Sequence, residues 1–185
     1  MISAKIICDS LNPVGDRLTT FVLTLPRVLL AELNTHRAFS KNSASSRAIP
    51  FAKMLEMVKN NPFIPIKFQK DHKGMQGTEY FEGEEEEYCI RDWLAARDSA
   101  VAAATSFKFA VTKQLRNRLL EPFMWHTVIL SGTNFENFFA LRAHKDAEIH
   151  IADLAFKMLE EYNGSVPKQL KAGEWHIPDF SKIKK

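Results

Sequence analysis

From Glu85 to Leu119 the chain runs without a proline or a glycine and is rich in Ala, Leu, Lys and Arg. An interior proline costs a helix about 3 kcal/mol and a glycine about 1 kcal/mol relative to alanine, so a stretch free of both propagates as helix. It predicts one long helix or two abutting ones, ended by Pro122. The flanking segments must supply its partners. Ile2–Cys8 and Leu18–Leu25 are rich in Ile, Val, Thr and Phe, and the turn residues Asn12-Pro13-Val14-Gly15-Asp16 between them predict a strand pair. Trp125–Leu130 predicts a further strand. Pro26 suits the first turn of a helix reaching Leu33, because its fixed φ matches and its missing N–H would be unpaired there. Pro50 opens another helix, with Phe51, Met54, Leu55 and Val58 on one apolar stripe. Thr133 and Glu136 form a capping-box pattern for a helix to Arg142. A last helix from Asp146 to Tyr162 carries Ile151, Ala155, Met158, Leu159 and Tyr162 on one face and stops at Asn163-Gly164. Strands and helices alternate without a βαβ rhythm, so the expected class is α+β: an antiparallel-type sheet with packed helices, one of them long and central.

Three segments lack periodicity. Asn34–Ile49 reads as a loop dense in hydrogen-bonding groups. Asn60–Glu87, with Pro62, Pro65, Gly74, Gly77 and Gly83, reads as a long excursion closing on the acidic run Glu84–Glu87. The polar tail beyond Gly164 reads as peripheral. A chain of 185 residues, 45% hydrophobic and 25% charged, fits one globular domain over residues 1–185. Its formal charge of +3 pulls weakly toward an anionic partner and does not demand nucleic acid. Cys8 and Cys89 are too few and too far apart for a disulfide framework or a zinc site. No run of about 18 apolar residues is present, and the N-terminus reads as a strand, which together give the expectation of a cytoplasmic protein without a membrane partner.

The loop from Thr35 to Arg47 concentrates chemistry. His36, Arg37, Lys41 and Arg47 are interleaved with Ser40, Asn42, Ser43, Ser45 and Ser46. Guanidinium groups grip phosphate oxygens bidentately, and hydroxyls and backbone N–H groups add short donors that orient the anion. No GxGxxG or GxxxxGK[ST] turn is present, so neither a Rossmann site nor a P-loop is implied. The residues alone leave two readings open: an anion site, or a solvated loop with N-capping serines. His144, Asp146 and His150 have no metal-ligand spacing, so no metal is expected. Phe135, Phe138 and Phe139 read as core.

The segment THRAFSKNSASSR resembles the signature loop of flavin-dependent thymidylate synthases, which carry an Arg-His-Arg triplet, seven residues, a Ser and, two positions later, an Arg. Thr35-His36-Arg37 takes the triplet, and Ser45 and Arg47 complete the pattern. A second region, Arg116–Ile151, is similar to the C-terminal half of the same family. The resemblance implies flavin contacts for His36, Arg37 and Asn137. It implies phosphate contacts for Ser45 and Arg47, often across a subunit interface, and nucleotide contacts for Arg118. Arg142 falls beside the pyrimidine, where it would stabilise negative charge as C5 becomes nucleophilic. Glu32 stands at a nucleotide-side position where the family has Gln. Thr35, Ser43 and Thr133 stand where it has Arg, Glu and Arg.

Carried over whole, the resemblance implies an FAD-dependent methyltransferase, a homotetramer, converting dUMP to dTMP with methylenetetrahydrofolate and NADPH as co-substrates. A flavin supplies the hydride and removes the need for a cysteine nucleophile. That matters because Cys8 falls in a strand and Cys89 beside the acidic run, neither an activating environment for a thiol. The departures at Glu32, Thr35 and Ser43 keep two alternatives open: another outcome on a pyrimidine deoxynucleotide, such as hydroxymethylation, or a catalytically inactive nucleotide- or nucleic-acid-binding protein, disfavoured by the modest charge.

Overall fold

The computed structural model describes residues 1–73 and 77–182, which group into two compact units. The first comprises Met1–Leu25, Leu29–Ser43 and the chain from Thr127 onward. Strands β1 (Ser3–Leu11) and β2 (Arg17–Pro26) pair antiparallel, from Ser3 opposite Thr24 to Leu11 opposite Arg17. In the turn the Asn12 side-chain carbonyl accepts from the Val14 and Asp16 N–H groups, and Gly15 adopts a left-handed φ of 97°. β3 (Ser40–Ser43) pairs antiparallel with β4 (Trp125–Gly132), and β5 (Lys168–Gln169) pairs parallel with β1, giving the sheet order β3-β4-β2-β1-β5. The class is α+β with a mixed, mostly antiparallel sheet, as the sequence predicts.

Helical turns run from Arg27 to Leu29 and continue as α1 (Leu30–Thr35). α5 (Glu136–Arg142) packs on α6 (Ile149–Gly164), and α6 packs on β1. The core they share is apolar: Phe21, Leu23, Leu25, Val128, Leu130, Ile151, Leu154 and Met158 are buried, as are Phe135 and Phe138. Phe135 touches Phe21, Phe39, Phe139 and Tyr162, with ring centroids 4.8–5.7 Å apart, so the phenylalanines of α5 are core, as expected. The Arg17–Asp9 pair, 2.7 Å apart, ties the hairpin to the end of α6, where Arg17 also donates to the Tyr162 carbonyl and lies over its ring.

The second unit comprises Pro26–Val28 and Ala44–His126. Its helices are α2 (Phe51–Asn60), α3 (Glu84–Thr105) and α4 (Lys113–Arg118). The proline-free stretch is thus two helices, with 106–112 between them. The 22-residue α3 is the expected long helix. Met54, Val58, Val101, Ala104, Leu120, Phe123 and Met124 form the core, flanked by Phe51, Leu55 and Trp93. In the excursion after α2, residues 74–76, including Gly74, lie outside the described residues. The rest is anchored: Phe63 is buried and accepts from the Trp93 indole N–H at 2.7 Å, and Gln69 bridges to Tyr80.

Four local expectations need correction. The segment Asn34–Ile49 is not all loop, because β3 completes the sheet edge and Ser46–Ala48 forms a turn of 3-10 helix. Thr133 does not cap α5; the Asn134 side chain takes that role, accepting from the Glu136 N–H at 3.1 Å. α6 begins at Ile149, not Asp146, because Glu148 accepts from the N–H groups of His150 and Ile151 and so fixes the start. The tail is integrated: it adds β5 to the sheet and buries Leu170.

Candidate functional site

Within the first unit, the C-terminus of α1 and the face of α5 enclose a cleft of about 480 Å3. α1 ends at Thr35, whose hydroxyl donates back to the Glu32 carbonyl at 2.7 Å, and His36 turns the chain out of the helix with extended backbone. Lys41 on β3 fixes that turn by donating to the carbonyls of Leu33 and His36, at 3.2 and 2.5 Å. The ammonium of Lys41 is therefore used on backbone, not held out toward an anion as the loop reading expects. Burial lowers its pKa from the usual lysine value.

His36, Arg37 and Arg142 line the cleft together with Asn134, Asn137 and Phe138. Arg142, the last residue of α5, is gripped at both ends. Its Nε–H donates to His36 Nε2 at 3.0 Å, and its Nη1 lies 2.7 Å from Glu32 Oε1. The His36 ring meets Phe138 edge-on, with centroids 4.9 Å apart. Burial, then the charges of Arg142 and Lys41, lowers the His36 pKa below its ordinary value, which keeps the ring neutral at pH 7. Arg37 and Asn137 are exposed at the rim. The result is a cleft with a flat apolar wall and several convergent donors, suited to a planar ring that carries carbonyl groups.

Ser45, Arg47 and Arg118 belong to the second unit. Ser45 caps the Ser46–Ala48 turn by accepting from the Arg47 N–H, and Arg47 Nε donates to Gln114 Oε1 at 2.9 Å. Gln114 and Arg118 are four apart on α4 and share a face, so Arg47 and Arg118 stand on the same side of the unit. Buried groups hold this turn: Asn117 Nδ2 donates to the carbonyls of Ser46 and Ile49, the Ser46 hydroxyl donates to Glu121, and Glu121 lies 3.7 Å from Arg27.

His36, Arg37, Asn137 and Arg142 thus line one cleft, which Glu32 reaches through its pair with Arg142. Ser45 and Arg47 belong to one turn, and Arg118 lies on α4, on the face of the Gln114 that accepts from Arg47. Sequence reasoning missed Asn134 in the cleft and Asn117, Gln114 and Glu121 behind the turn. Asn134 could have been found, since an Asn two residues before a short helix is a capping signal. The others could not, because their partners are remote in sequence. Cys8 and Cys89 do not line the cleft.

A second cleft in the first unit, about 550 Å3, is lined by Asp9, Glu160, Glu161 and Cys8. Its lining carboxylates are partly occupied, Asp9 by Arg17 and Glu161 by the Ile6 N–H, and their charge disfavours an anionic ligand.

No family model matches the chain, and no curated protein matches it in sequence. Its fold does match solved structures. A UMP/dUMP methylase PolB from Streptomyces cacaoi bound with 5-Br UMP superposes with a TM-score of 0.69 at 13% identity, covering 88% of this chain and 88% of that one. The same methylase bound with 5-Br dUMP gives 0.66 at 13% identity, over 88% and 90%. At that identity the likeness is one of fold. Among the described residues no helix is long and apolar enough to cross a membrane.

Proposed function

We propose that the chain is a flavin-dependent methylase of a uridine monophosphate, with dUMP as substrate and dTMP as product. The observation that carries this reading is the convergence of His36, Arg37, Asn137 and Arg142 on one cleft, with Glu32 paired to Arg142, since these are the residues that the sequence resemblance assigns to flavin and pyrimidine. The fold it shares with a UMP/dUMP methylase supports it independently of those residues, and makes UMP the second substrate to test.

The donor set suits a flavin. His36, Arg37 and Asn137 can meet the carbonyl and nitrogen edge of a flat ring, and Phe138 supplies an apolar wall. When bound, FAD would supply the hydride that completes methylation after methylenetetrahydrofolate donates the carbon, with NADPH as reductant. Arg142 binds the carbonyl edge of the pyrimidine and opposes the negative charge that develops as C5 becomes nucleophilic. Ser45, Arg47 and Arg118 hold the phosphate. The family resemblance draws these from a neighbouring subunit, so the working form is a homo-oligomer, a tetramer by that analogy. A cleft of about 480 Å3 does not house a whole dinucleotide, so most of that ligand would lie outside it, which agrees with a shared site.

The test is incubation of FAD-loaded protein with methylenetetrahydrofolate, NADPH and either dUMP or UMP, with the product read by mass. A methylated nucleotide is expected. A hydroxymethylated product would keep the site and change the reaction, whereas no flavin band in the absorbance spectrum and no product would sink the proposal.

A further inference from the structure

The bond between His36 and Arg142 fixes more than distance. Arginine has no acceptor, so Arg142 Nε–H is the donor and His36 Nε2 must present its lone pair. The ring is then neutral with its proton on Nδ1. A protonated ring would have an N–H on both nitrogens and would face the guanidinium N–H directly. The charged groups around the ring sharpen this. Arg142 faces it from α5, Lys41 from β3 binds its own carbonyl, and Arg37 is next in the chain; Glu32 on α1 is the carboxylate of the group and is paired to Arg142. Glu32 alone cannot set the guanidinium, because one contact to Nη1 leaves the plane free to swing. The second contact, at Nε, stops it.

We propose that His36 is a positioning residue: as the neutral ring protonated on Nδ1 it aims Arg142 into the cleft, and taking up a proton sets Arg142 free. On the nucleotide reading, from which this follows, the cleft holds a uracil ring in its catalytic orientation only while His36 is neutral. Burial and the neighbouring cations keep that state populated at pH 7.

Two measurements on the full-length protein test it. The first is 15N NMR of the histidine rings and arginine Nε groups without ligand. His36 should show an unprotonated Nε2 and a protonated Nδ1 at neutral pH, and the Arg142 Nε–H resonance should shift with the same midpoint as His36 on acidification. A proton on Nε2, or an Arg142 signal indifferent to His36, overturns the proposal. The second is the pH dependence of dUMP binding in wild type and in His36→Gln, whose side-chain carbonyl can accept from Arg142 and does not titrate. One pH unit below the His36 midpoint, wild type should bind about tenfold more weakly than its own neutral form, beyond the change His36→Gln shows from ionisation of the ligand phosphate. Identical profiles overturn the proposal. Failure of dUMP to bind at any pH, with His36 and Arg142 still coupled in the spectra, sinks the nucleotide reading and leaves the positioning role standing.

Discussion

His126 is buried at 3% exposure and accepts from Arg27 Nη1 at 3.2 Å, so like His36 it must keep a lone pair on Nε2. Burial and Arg27 lower its pKa to about 4, against the opposing charge of Glu121. The sign follows from linkage. Between its ordinary value of 6.5 and about 4 the unfolded chain binds a proton that the folded chain refuses. The neutral ring's contribution is therefore complete above pH 6.5 and is lost as pH falls through that window, with an upper size of about 3 kcal/mol. Urea unfolding at neutral pH and near pH 4.5 should show this, and His126→Gln, which can still accept from Arg27, should lose less stability on acidification than wild type by about 2 kcal/mol. Equal losses in the two proteins would place the proton elsewhere. The pair between Arg142 and Glu32 is of another kind. Both side chains are about a quarter to a third exposed, so the pair is worth at most about 1 kcal/mol to the fold, and its importance lies in orientation.

At the scale of elements, the turn Ser46–Ala48 shows how a short segment is held in place. Its own sequence supplies the Ser45 cap and the Ser46 hydroxyl that donates to Glu121; Asn117, with no exposed surface, ties the carbonyls of Ser46 and Ile49 to α4. Asn117→Ala takes the side-chain donor from both carbonyls, leaving that of Ser46 with the Ile49 N–H alone, and should cost about 2–4 kcal/mol, read as a lower unfolding midpoint. In folded protein it should also weaken dUMP binding about tenfold while leaving deoxyuridine, which has no phosphate, unchanged. Equal weakening of both ligands would show that the turn does not serve the phosphate. The same contrast of local and remote causes explains what the sequence made legible. β1, β2, β4, α2 and the extent of α5 follow from alternation, stripes and terminators inside each segment. β3 does not, because Ser40-Lys41-Asn42-Ser43 has no strand propensity and is extended only because it pairs with Val128–Ser131. The break between α3 and α4 carries no proline or glycine to announce it. Of the cleft, His36, Arg37, Asn137 and Arg142 were singled out by the family resemblance and not by periodicity or spacing alone. The two-sided grip on Arg142 was not, since it depends on α5 folding back over α1.

For the whole molecule, the tail is where an element-by-element reading failed most, and the reason is its composition. Beyond Gly164 it has no periodicity, and its pairing strand β5 has two residues. What integrates it is one histidine. His176 bonds Ser10 Oγ at 2.7 Å and Thr20 Oγ1 at 2.8 Å, with Cys8 Sγ 3.4 Å away, and Thr20 continues to Ser131 at 2.7 Å. Ser10 and Thr20 are buried, so these polar positions in the apolar strands β1 and β2 complete their side-chain bonding through a segment more than 150 residues later, while Thr20 and Ser131 on β4 also bond each other. The backbone reinforces the return: Leu170 and Asp179 donate to the Leu11 and Ile7 carbonyls along the edge of β1. Removing the imidazole leaves buried hydroxyls short of a partner, which costs more than the bonds themselves contribute. His176→Ala should therefore lower stability by about 2–4 kcal/mol. Its effect should also be regional. Hydrogen exchange should quicken at the β1 amides beside the tail and in β5, while the amides of α2 and α3, in the other compact unit, keep their relative protection. Burial lowers the His176 pKa, with Asp9 opposing, so its grip is complete above the ordinary histidine value and weakens as pH falls below it. Acidification of the wild-type protein should then quicken exchange at the same amides as the substitution does. Uniform quickening across both units would mean that the tail is held by the fold as a whole and not by this residue.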